Sequence, residues 1–351
     1  MCPVIKLASL HFNVITLCTG QHYKSVLDVL SLFEIKYDFI FSQKKFNNLS
    51  DQLSYYQKCI NNVLKTIKID MMVVHGDTTS CFAGAMSSYF AQIPLSHIEA
   101  GLRTHQIYAP FPEEMFRKWT DAAADLCFAP TYLASMNLYN EGKKKSQVFI
   151  TGNTIVDALY FIQSKKVNNT IDDKLFKLLS KKSGYFLVTL HRNEIRNNKL
   201  ENIALAICNI ALEKNYSIIW PLHPNKNVSQ IIKKIAAKQS HVMVCQPMDF
   251  QLFVNTMKNA DLILTDSGGI QEEASVLGKK IVVIREETER PEILENSTAI
   301  LAGTDILNIK NAIQKLLNVN DVLPYKNDLF GNGDASEKIV LSIKNYFSCK
   351  L

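Results

Sequence analysis

The chain has 351 residues and a net charge of +6, with 47% of its residues hydrophobic and 21% charged. This composition is that of a globular chain with room for two domains. Its lysines and arginines are dispersed, which argues against nucleic-acid binding. No apolar run reaches the roughly 18 residues of a membrane span, and the N-terminal segment MCPVIKLASL lacks the basic region and cleavage site of a signal peptide.

The eight cysteines form no C-x-x-C pair and no cluster with zinc-type spacing. Most of them lie in apolar runs, where a buried free thiol is the usual state. We therefore expect a protein of the reducing cytoplasm that holds no structural metal.

Short apolar runs alternate with helical patterns through the first half of the chain. In chain order, the predicted elements are strand 12–17, helix 23–32, helix 51–67, strand 71–75, helix 81–90, strand 94–98, helix 114–124, strand 126–129 and strand 148–151. Fully apolar strands joined by helices are typical of a parallel sheet that is covered on both faces.

A polar stretch rich in lysine and asparagine, 161–183, interrupts this pattern and is the expected domain junction. The second half continues with strand 185–190, helix 198–212, strand 217–221, helix 229–238, strand 242–245, helix 249–259, strand 262–265, helix 269–277, strand 280–284, helix 305–317 and helix 335–346. We predict an N-terminal domain of residues 1–163, a C-terminal domain of residues 164–334 and a final helix within 335–351. Two such α/β halves place a ligand in the crevice at the carboxyl ends of their strands.

Three acids of the first half follow predicted strands or begin a predicted helix. Asp77 lies in HGDTTS, Glu99 in HIEAGLRT and Glu113 in PFPEE, which opens the helix that carries Arg117. A capping role or a favourable helix start would explain any one of these acids equally well. Three acids on one rim are harder to explain in that way, because acids that share a cleft can supply a general base and a general acid.

In the second half, Ser267, Gly268 and Gly269 stand between a buried strand and a helix. Backbone N–H groups at such a helix start form a phosphate cradle, although a turn without a ligand would have the same sequence. Glu273 lies one turn further along, where it could bind ribose hydroxyls. Arg290 follows the strand at 280–284, either as a ligand contact or as part of a surface ion pair.

Two histidines complete the set of candidate residues. His191 ends a strand that is expected to face the cleft, and His223 is similarly placed in PLHPN. A lone histidine is usually structural, but the position of His191 favours a functional role.

Together these segments resemble the non-hydrolysing UDP-N-acetylglucosamine 2-epimerases of bacterial surface-polysaccharide pathways. The matching runs extend in consistent order from about residue 20 to the C-terminus: HGDTTS, HIEAGLRT, PFPEEMFRKW, FITGNTIVDAL, VTLHRNE, DSGGIQEEASVLGKK, ETERPE and GNGDAS. The resemblance implies two Rossmann-like domains, as in GT-B glycosyltransferases, with the active site in the interdomain cleft. It also implies a last helix that crosses back to the first domain, and a homodimer.

The reaction implied by the resemblance inverts the sugar of a UDP-amino sugar at C2. A base removes the C2 proton while UDP leaves C1, and UDP then adds back to the glycal as a proton reaches the opposite face. Departure of the diphosphate needs electrostatic assistance, because the C2 proton is only weakly acidic. Since no net redox change occurs, no cofactor or metal is expected.

The resemblance also implies a role for each candidate residue. Asp77, Glu99 and Glu113 match acids implicated in proton transfer, and Arg117 matches an arginine near them. His191 matches a histidine that supports diphosphate departure. The expected UDP contacts are the diphosphate loop Ser267, Gly268 and Gly269, the ribose acid Glu273, the nucleotide contact Arg290 and the aromatic near the uracil, Phe253.

The chain departs from the family pattern in two places. The family opens with a strand and a G-T-R-P-E loop, whereas MCPVIK resembles the helix that follows that loop. We therefore expect the first strand of the N-terminal domain to be missing. The regulatory subsite of the family would map near Gln21, His191, Glu194 and His223, but Lys24 stands where some relatives carry Gln, so allosteric activation is not expected.

Three alternative functions stay open at this point. A GT-B glycosyltransferase would share the fold and the nucleotide loop, but it would not need three acids on one rim. An N-terminally truncated, inactive nucleotide-sugar-binding remnant would account for a missing strand. A hydrolysing relative would release free N-acetylmannosamine, and the HIEAGLRT and PFPEE segments argue against it.

Overall fold

A computed structural model describes residues 1–21, 23–165, 183–190, 197–222, 225–295, 297–318 and 328–349. The chain forms two compact units, one comprising Met1–Phe161 and Leu329–Leu351 and the other Ile162–Asp328. Both units are α/β with exclusively parallel strand pairing among the described residues. In the described parts of the chain, no helix is both long enough and apolar enough to cross a membrane.

The first unit alternates strands and helices and receives the last helix of the chain. Its elements are α1 (Cys2–Ala8), β1 (Leu17–Cys18), α2 (Tyr23–Leu32), β2 (Phe39–Ile40), α3 (Leu49–Leu64), β3 (Met72–His75), α4 (Thr79–Phe90), β4 (Leu95–Ile98), α5 (Glu113–Ala123), β5 (Leu126–Ala129), α6 (Tyr132–Asn140), β6 (Val148–Ile150), α7 (Thr154–Ser164) and, after the second unit, α13 (Ala335–Ser348). Helix α7 extends three residues into the segment that is grouped with the second unit.

The second unit contains six strands and five described helices. Its elements are β7 (Tyr185–Thr189), α8 (Asn197–Glu213), β8 (Ser217–Pro221), α9 (Lys226–Ala236), β9 (Val242–Cys245), α10 (Phe250–Asn259), β10 (Leu262–Thr265), α11 (Gly268–Val276), β11 (Ile281–Val283), β12 (Ala299–Leu301) and α12 (Ile306–Leu317). The strands form one sheet in the order β12-β11-β10-β7-β8-β9. Strands β7 and β10, where the candidate site residues begin, are therefore neighbours at its centre.

The sheet of the first unit is covered on both faces, because successive residues of a strand point to opposite sides. Ile98 and Phe128 belong to the cluster with Val4 of α1 and Ile339 of α13. Their neighbours Leu95, Cys127 and Ala129 belong to the opposite cluster with α4 and α6. The final helix α13 thus packs against α1 in the first unit.

Strand pairing in the first unit is split. Strands β3-β4-β5-β6 form one sheet, and β1-β2 form a separate two-stranded sheet. The predicted strand 12–17 is wrong in its bounds, since only Leu17 and Cys18 are extended and paired, with Phe39 and Ile40. The β-branched run before Leu17 favours a strand in the sequence, but no described strand pairs with it.

Capping side chains set the starts of these helices, and the hydrophobic periodicity of the sequence does not predict them. Thr78 accepts the backbone N–H of Cys81 at 3.2 Å, so α4 begins at Thr79, two residues before its predicted start. Asp249 caps α10 in the same way, by accepting the backbone N–H of Leu252.

The predicted α/β class with two Rossmann-like units is confirmed.

Candidate active site

The three predicted acids lie in the first unit, on loops at the carboxyl end of its sheet or at a helix start. Asp77 comes two residues after β3, and Glu99 directly follows β4. Because β3 and β4 are neighbouring parallel strands, their carboxyl ends share one edge of the sheet. Glu113 is the first residue of α5, where the helix dipole favours a carboxylate.

Arg117 links two carboxylates of this region. Its buried guanidinium donates a short hydrogen bond to Asp77 and a second one, of 3.0 Å, to Glu114 Oε2. The fully buried Glu114 carboxylate also accepts the backbone N–H groups of Thr104 and His105, each at 3.1 Å. Arg117 therefore holds the Asp77 side chain and connects α5 to the loop that follows Glu99.

Glu99 has an uncommon backbone conformation and two polar neighbours. Its φ of 70° lies in the left-handed region, which non-glycine residues seldom adopt and which often marks functional sites. Asn153 Nδ2 donates to Glu99 Oε1 at 3.3 Å, and His75 Nε2 lies 3.7 Å from Glu99 Oε2. Burial, followed by the positive charges of the N-terminal amino group and His97, holds the pKa of His75 well below its usual value.

Two of these neighbours were missed by the sequence analysis. His75 is the last residue of β3, in the HGDTTS run, and Asn153 follows the end of β6 by three residues, in the FITGNTIVDAL run. Their signal was the same strand-end position that singled out Asp77. Asn153 is 4% exposed, so the amide that donates to Glu99 is buried.

A buried network joins the loops that carry the acids. His97 of β4 lies between Asp121 Oδ1, 2.6 Å from Nδ1, and the Gly76 carbonyl oxygen, 2.8 Å from Nε2. Asp121 Oδ2 accepts the Gly101 N–H at 3.1 Å and an Arg103 N–H at 2.7 Å. The network therefore connects the residue before Asp77, the loop after Glu99 and helix α5.

The predicted regulatory residues are only partly within the described chain. Gln21 Oε1 accepts hydrogen bonds from the Ser80 hydroxyl at 2.6 Å and from the Ser80 backbone N–H at 3.1 Å, which ties it to the first turn of α4. Lys24 is exposed on α2. His191, Glu194 and His223 lie outside the described residues.

In the second unit, the glycine loop opens α11 at the end of β10. Ser267 occupies the N-cap position, and its backbone N–H donates to Thr265 Oγ1 at 3.0 Å. The Thr265 hydroxyl is in turn 2.8 Å from that of Thr189 on the neighbouring strand β7. A Cβ on Gly269 would meet no atom of the described residues within 4 Å, so they leave space beside this helix start.

Arg290 is buried beneath the glycine loop, and the alternative of a surface ion pair is wrong. It forms a short ion pair with Glu272 and a second, of 2.7 Å, with Glu289. Glu289 also pairs with Arg285 at 2.7 Å. A Cβ on Gly268 would lie 2.6 Å from Arg290 Nη1, so this close approach requires glycine.

Two further predicted ligand residues lie in the second unit. Glu273 is half-buried on α11, and burial together with the Glu272 charge raises its pKa to about 8. Phe253 is half-buried in the first turn of α10. Among the residues that the structure describes, no group of three histidines, cysteines or acids has the arrangement of a metal site.

The fold and these two sets of residues define a protein of the GT-B-like class, with two Rossmann-like units. The chain belongs to the UDP-N-acetylglucosamine 2-epimerase family, whose model matches residues 6–344.

Its relatives match over nearly their whole length. The UDP-N-acetylglucosamine 2-epimerase of Bacillus subtilis is 39% identical, with 92% of this chain and 85% of that protein covered. The Neisseria meningitidis enzyme is 37% identical, with 97% and 94% covered. The crystal structure of UDP-GlcNAc 2-epimerase from Neisseria meningitidis bound to UDP-GlcNAc superposes with a TM-score of 0.90 at 36% identity, covering 98% of this chain and 96% of that one.

Proposed function

We propose that this chain epimerises a UDP-2-acetamido sugar at C2, converting UDP-N-acetylglucosamine to UDP-N-acetylmannosamine, as a non-hydrolysing isomerase of surface polysaccharide biosynthesis. The observation that carries this proposal is the set of carboxylates on the first unit, of which Arg117 holds Asp77 and Asn153 holds Glu99. Family membership over residues 6–344 supplies the reaction class.

In the proposed reaction, two bonds break and the same two bonds re-form. A carboxylate among Asp77, Glu99 and Glu113 takes the C2 proton as the C1–O bond breaks and its electron pair leaves with UDP. A glycal results, and UDP adds back to C1 while a second acid delivers a proton to the opposite face of C2. Carboxylates can serve as both base and acid because neighbouring charges and burial separate their pKa values.

Arg117 is proposed to hold Asp77 in place and to compensate its charge. The guanidinium is buried and bonded to both Asp77 and Glu114, which fixes its position on α5. Asn153 is proposed to orient the Glu99 carboxylate through its amide. A base held rigidly near the proton that it abstracts contributes about 100-fold or more to the rate.

The second unit is proposed to bind UDP. Backbone N–H groups at Ser267, Gly268 and Gly269 would receive the diphosphate, since the start of α11 carries the positive end of a helix dipole. Glu273 would bind the ribose and Phe253 would pack near the uracil. Buried Arg290 adds a cation beneath the loop, and His191 is proposed to assist departure of the diphosphate.

The proposed assembly is a homodimer, formed through an apolar face on α4 and α5. Tyr89 and Trp119 on this face are 67% and 49% exposed. The described residues that line the face are all uncharged: Phe82, Ala85, Met86, Tyr89, Trp119, Ala122 and Ala123. Such a surface suits a second copy of itself in an isologous contact. Trp119→Lys should shift the chain to monomer in sedimentation velocity, and an unchanged dimer would contradict this interface.

We also propose a cytoplasmic location, since all eight cysteines are free thiols and four of them are buried. The regulatory subsite at Gln21, Glu194 and His223 stays a proposal. In the first unit, Gln21 is hydrogen-bonded to Ser80 in the first turn of α4, three residues after Asp77.

The function is tested by incubating the protein with UDP-N-acetylglucosamine and following the anomeric proton by NMR. The proposal expects signals of UDP-N-acetylmannosamine to grow until both sugars are at equilibrium, with the diphosphate still attached. Free N-acetylmannosamine as the main product would instead identify a hydrolase. Consumption only in the presence of an acceptor would identify a glycosyltransferase.

A further inference from the structure

His97 is a fully buried histidine on β4 whose two ring nitrogens both face hydrogen-bond acceptors. Nε2 lies 2.8 Å from the Gly76 carbonyl oxygen, and Nδ1 lies 2.6 Å from the Asp121 carboxylate. A carbonyl oxygen can only accept, so Nε2 must carry a proton. If Asp121 is ionised, Nδ1 must carry one as well, and the ring is an imidazolium.

The surroundings of Asp121 keep it ionised. Its second oxygen accepts the backbone N–H of Gly101 and an N–H of the buried Arg103 guanidinium. Burial alone would raise the pKa of Asp121, but the charges and hydrogen bonds of His97 and Arg103 outweigh burial and lower that pKa. Arg103 is itself balanced by Glu141, which accepts two of its N–H groups at 2.6 and 2.9 Å.

The charge of His97 follows from the same balance. Burial alone lowers its pKa, but the charge and hydrogen bond of Asp121 outweigh burial and raise that pKa to about 10. Besides Asp121, the titratable groups that face the ring are the Cys81 thiol on α4 and His75 on β3. The Cys81 thiol also donates to the Gly76 carbonyl, at 2.9 Å.

The groups bonded to His97 and Asp121 belong to three different segments of the acid site. The Gly76 carbonyl forms the peptide bond to Asp77, and Gly101 follows Glu99 by two residues. Asp121 lies on α5, the helix that begins at Glu113 and carries Arg117. Through Gly76 and Asp121, the His97 ring is thus connected to all three segments.

We propose that His97 is a positioning residue, an imidazolium protonated on both ring nitrogens that locks the peptide before Asp77 to helix α5. It touches no substrate. Its effect passes through the Gly76 carbonyl to the placement of Asp77. The effect of His97 on the reaction rate rests on the proposed epimerase function. The protonation of its ring and its hydrogen bonds do not.

The structural consequence is measured by NMR on the wild-type chain without substrate. At about pH 8, where an ordinary histidine is neutral, His97 should show protons on both ring nitrogens, and the two signals should disappear in His97→Gln. The Asp77 backbone amide, which shares the Gly76 peptide, should shift in His97→Gln. A singly protonated His97, or an unshifted Asp77 amide, would overturn the proposal whether or not the chain is an epimerase.

The kinetic consequence is measured with His97→Gln and Asp121→Asn. Each variant should lower kcat by about 100-fold with KM for the UDP-sugar changed less than about twofold, because the UDP loop lies in the other unit. The double variant should be no slower than the slower single variant, since the two groups act as one.

A matched control separates positioning from stability. His241 is another buried histidine, in the second unit, whose Nε2 is 2.9 Å from the Cys208 carbonyl oxygen. His241→Gln should cost stability in urea unfolding but leave kcat unchanged well below the unfolding transition. A folded His97→Gln with wild-type kcat would overturn the proposal. If the wild-type chain does not turn over UDP-N-acetylglucosamine, the proposed function fails, and the NMR result alone decides on His97.

Discussion

The Arg117 guanidinium donates a hydrogen bond to the Asp77 carboxylate from a position that is 98% shielded from solvent. Because the arginine also bonds Glu114, removing its charge leaves one buried and one half-buried carboxylate uncompensated. We predict that Arg117→Met lowers kcat by about 100-fold and the free energy of unfolding by roughly 3 to 5 kcal/mol. Steady-state kinetics and urea unfolding measure the two effects.

The control for this prediction is the next residue of the same helix. Lys118 is partly exposed and pairs with Glu141 at 3.6 Å, so Lys118→Met should change the unfolding free energy by less than about 1 kcal/mol. If Arg117→Met lowered kcat or the free energy of unfolding no more than Lys118→Met does, Arg117 would not hold Asp77 as described.

The two glycines of the UDP loop should respond differently to alanine. A Cβ at Gly268 would strike Arg290 and Glu289, whereas a Cβ at Gly269 would meet no atom within 4 Å in the described part of the chain. Gly268→Ala should therefore lower both stability and UDP affinity. Gly269→Ala should leave the unfolding free energy within about 0.5 kcal/mol and weaken UDP binding alone, as measured by calorimetry. Undiminished UDP affinity in Gly269→Ala would place the diphosphate elsewhere.

Stability should fall with rising pH because of Glu273. Burial, followed by the charge of Glu272, raises its folded pKa to about 8, whereas in the unfolded chain it is ordinary. Between those two pKa values the folded state holds a proton that the unfolded state has lost, so the free energy of unfolding decreases as pH rises through this window. Glu273→Gln should flatten that slope in urea unfolding between about pH 5 and pH 8. Identical slopes for both proteins would refute the assignment.

The turn after Glu99 depends on glycine at one position. Gly101 has a φ of 85°, and a Cβ there would lie 2.2 Å from the Ala134 carbonyl oxygen. Gly101→Ala should lower the free energy of unfolding by roughly 3 kcal/mol or more. Gly142 has a similar φ of 92°, but a Cβ there would meet none of the residues that the structure describes within 4 Å, so Gly142→Ala should cost only about 1 to 2 kcal/mol. Equal losses would mean that strain, not the contact with Ala134, explains the need for glycine.

Much of the fold could be predicted from hydrophobic pattern. Buried strands such as Leu126–Ala129 and Leu262–Thr265 were predicted at their observed bounds because they are short apolar runs between polar turns. The pattern failed where an element is brief or partly exposed. Strand β2 is two residues long, and helix α6 mixes tyrosines and asparagines on its surface, so neither produces a clear period.

The candidate site was predicted less completely. The strand-end positions of Asp77 and Glu99 identified them, because parallel strands bring such residues to one edge. The sequence could not show that Arg117 bonds Asp77, that Asn153 reaches Glu99 from 54 residues away, or that Arg290 is buried. Those contacts depend on tertiary packing, and His97 in particular reads as an ordinary strand residue until Asp121 is seen beside it.

The central claim is that acids of the first unit exchange the C2 proton of a UDP-amino sugar. The most direct measurement is incubation with UDP-N-acetylglucosamine in deuterated water, followed by NMR of the recovered nucleotide sugars. We predict deuterium at C2 with the wild-type chain, and a loss of incorporation of about 100-fold or more in Asp77→Asn, Glu99→Gln and Glu113→Gln. Turnover of the UDP-sugar without deuterium at C2 would contradict the account.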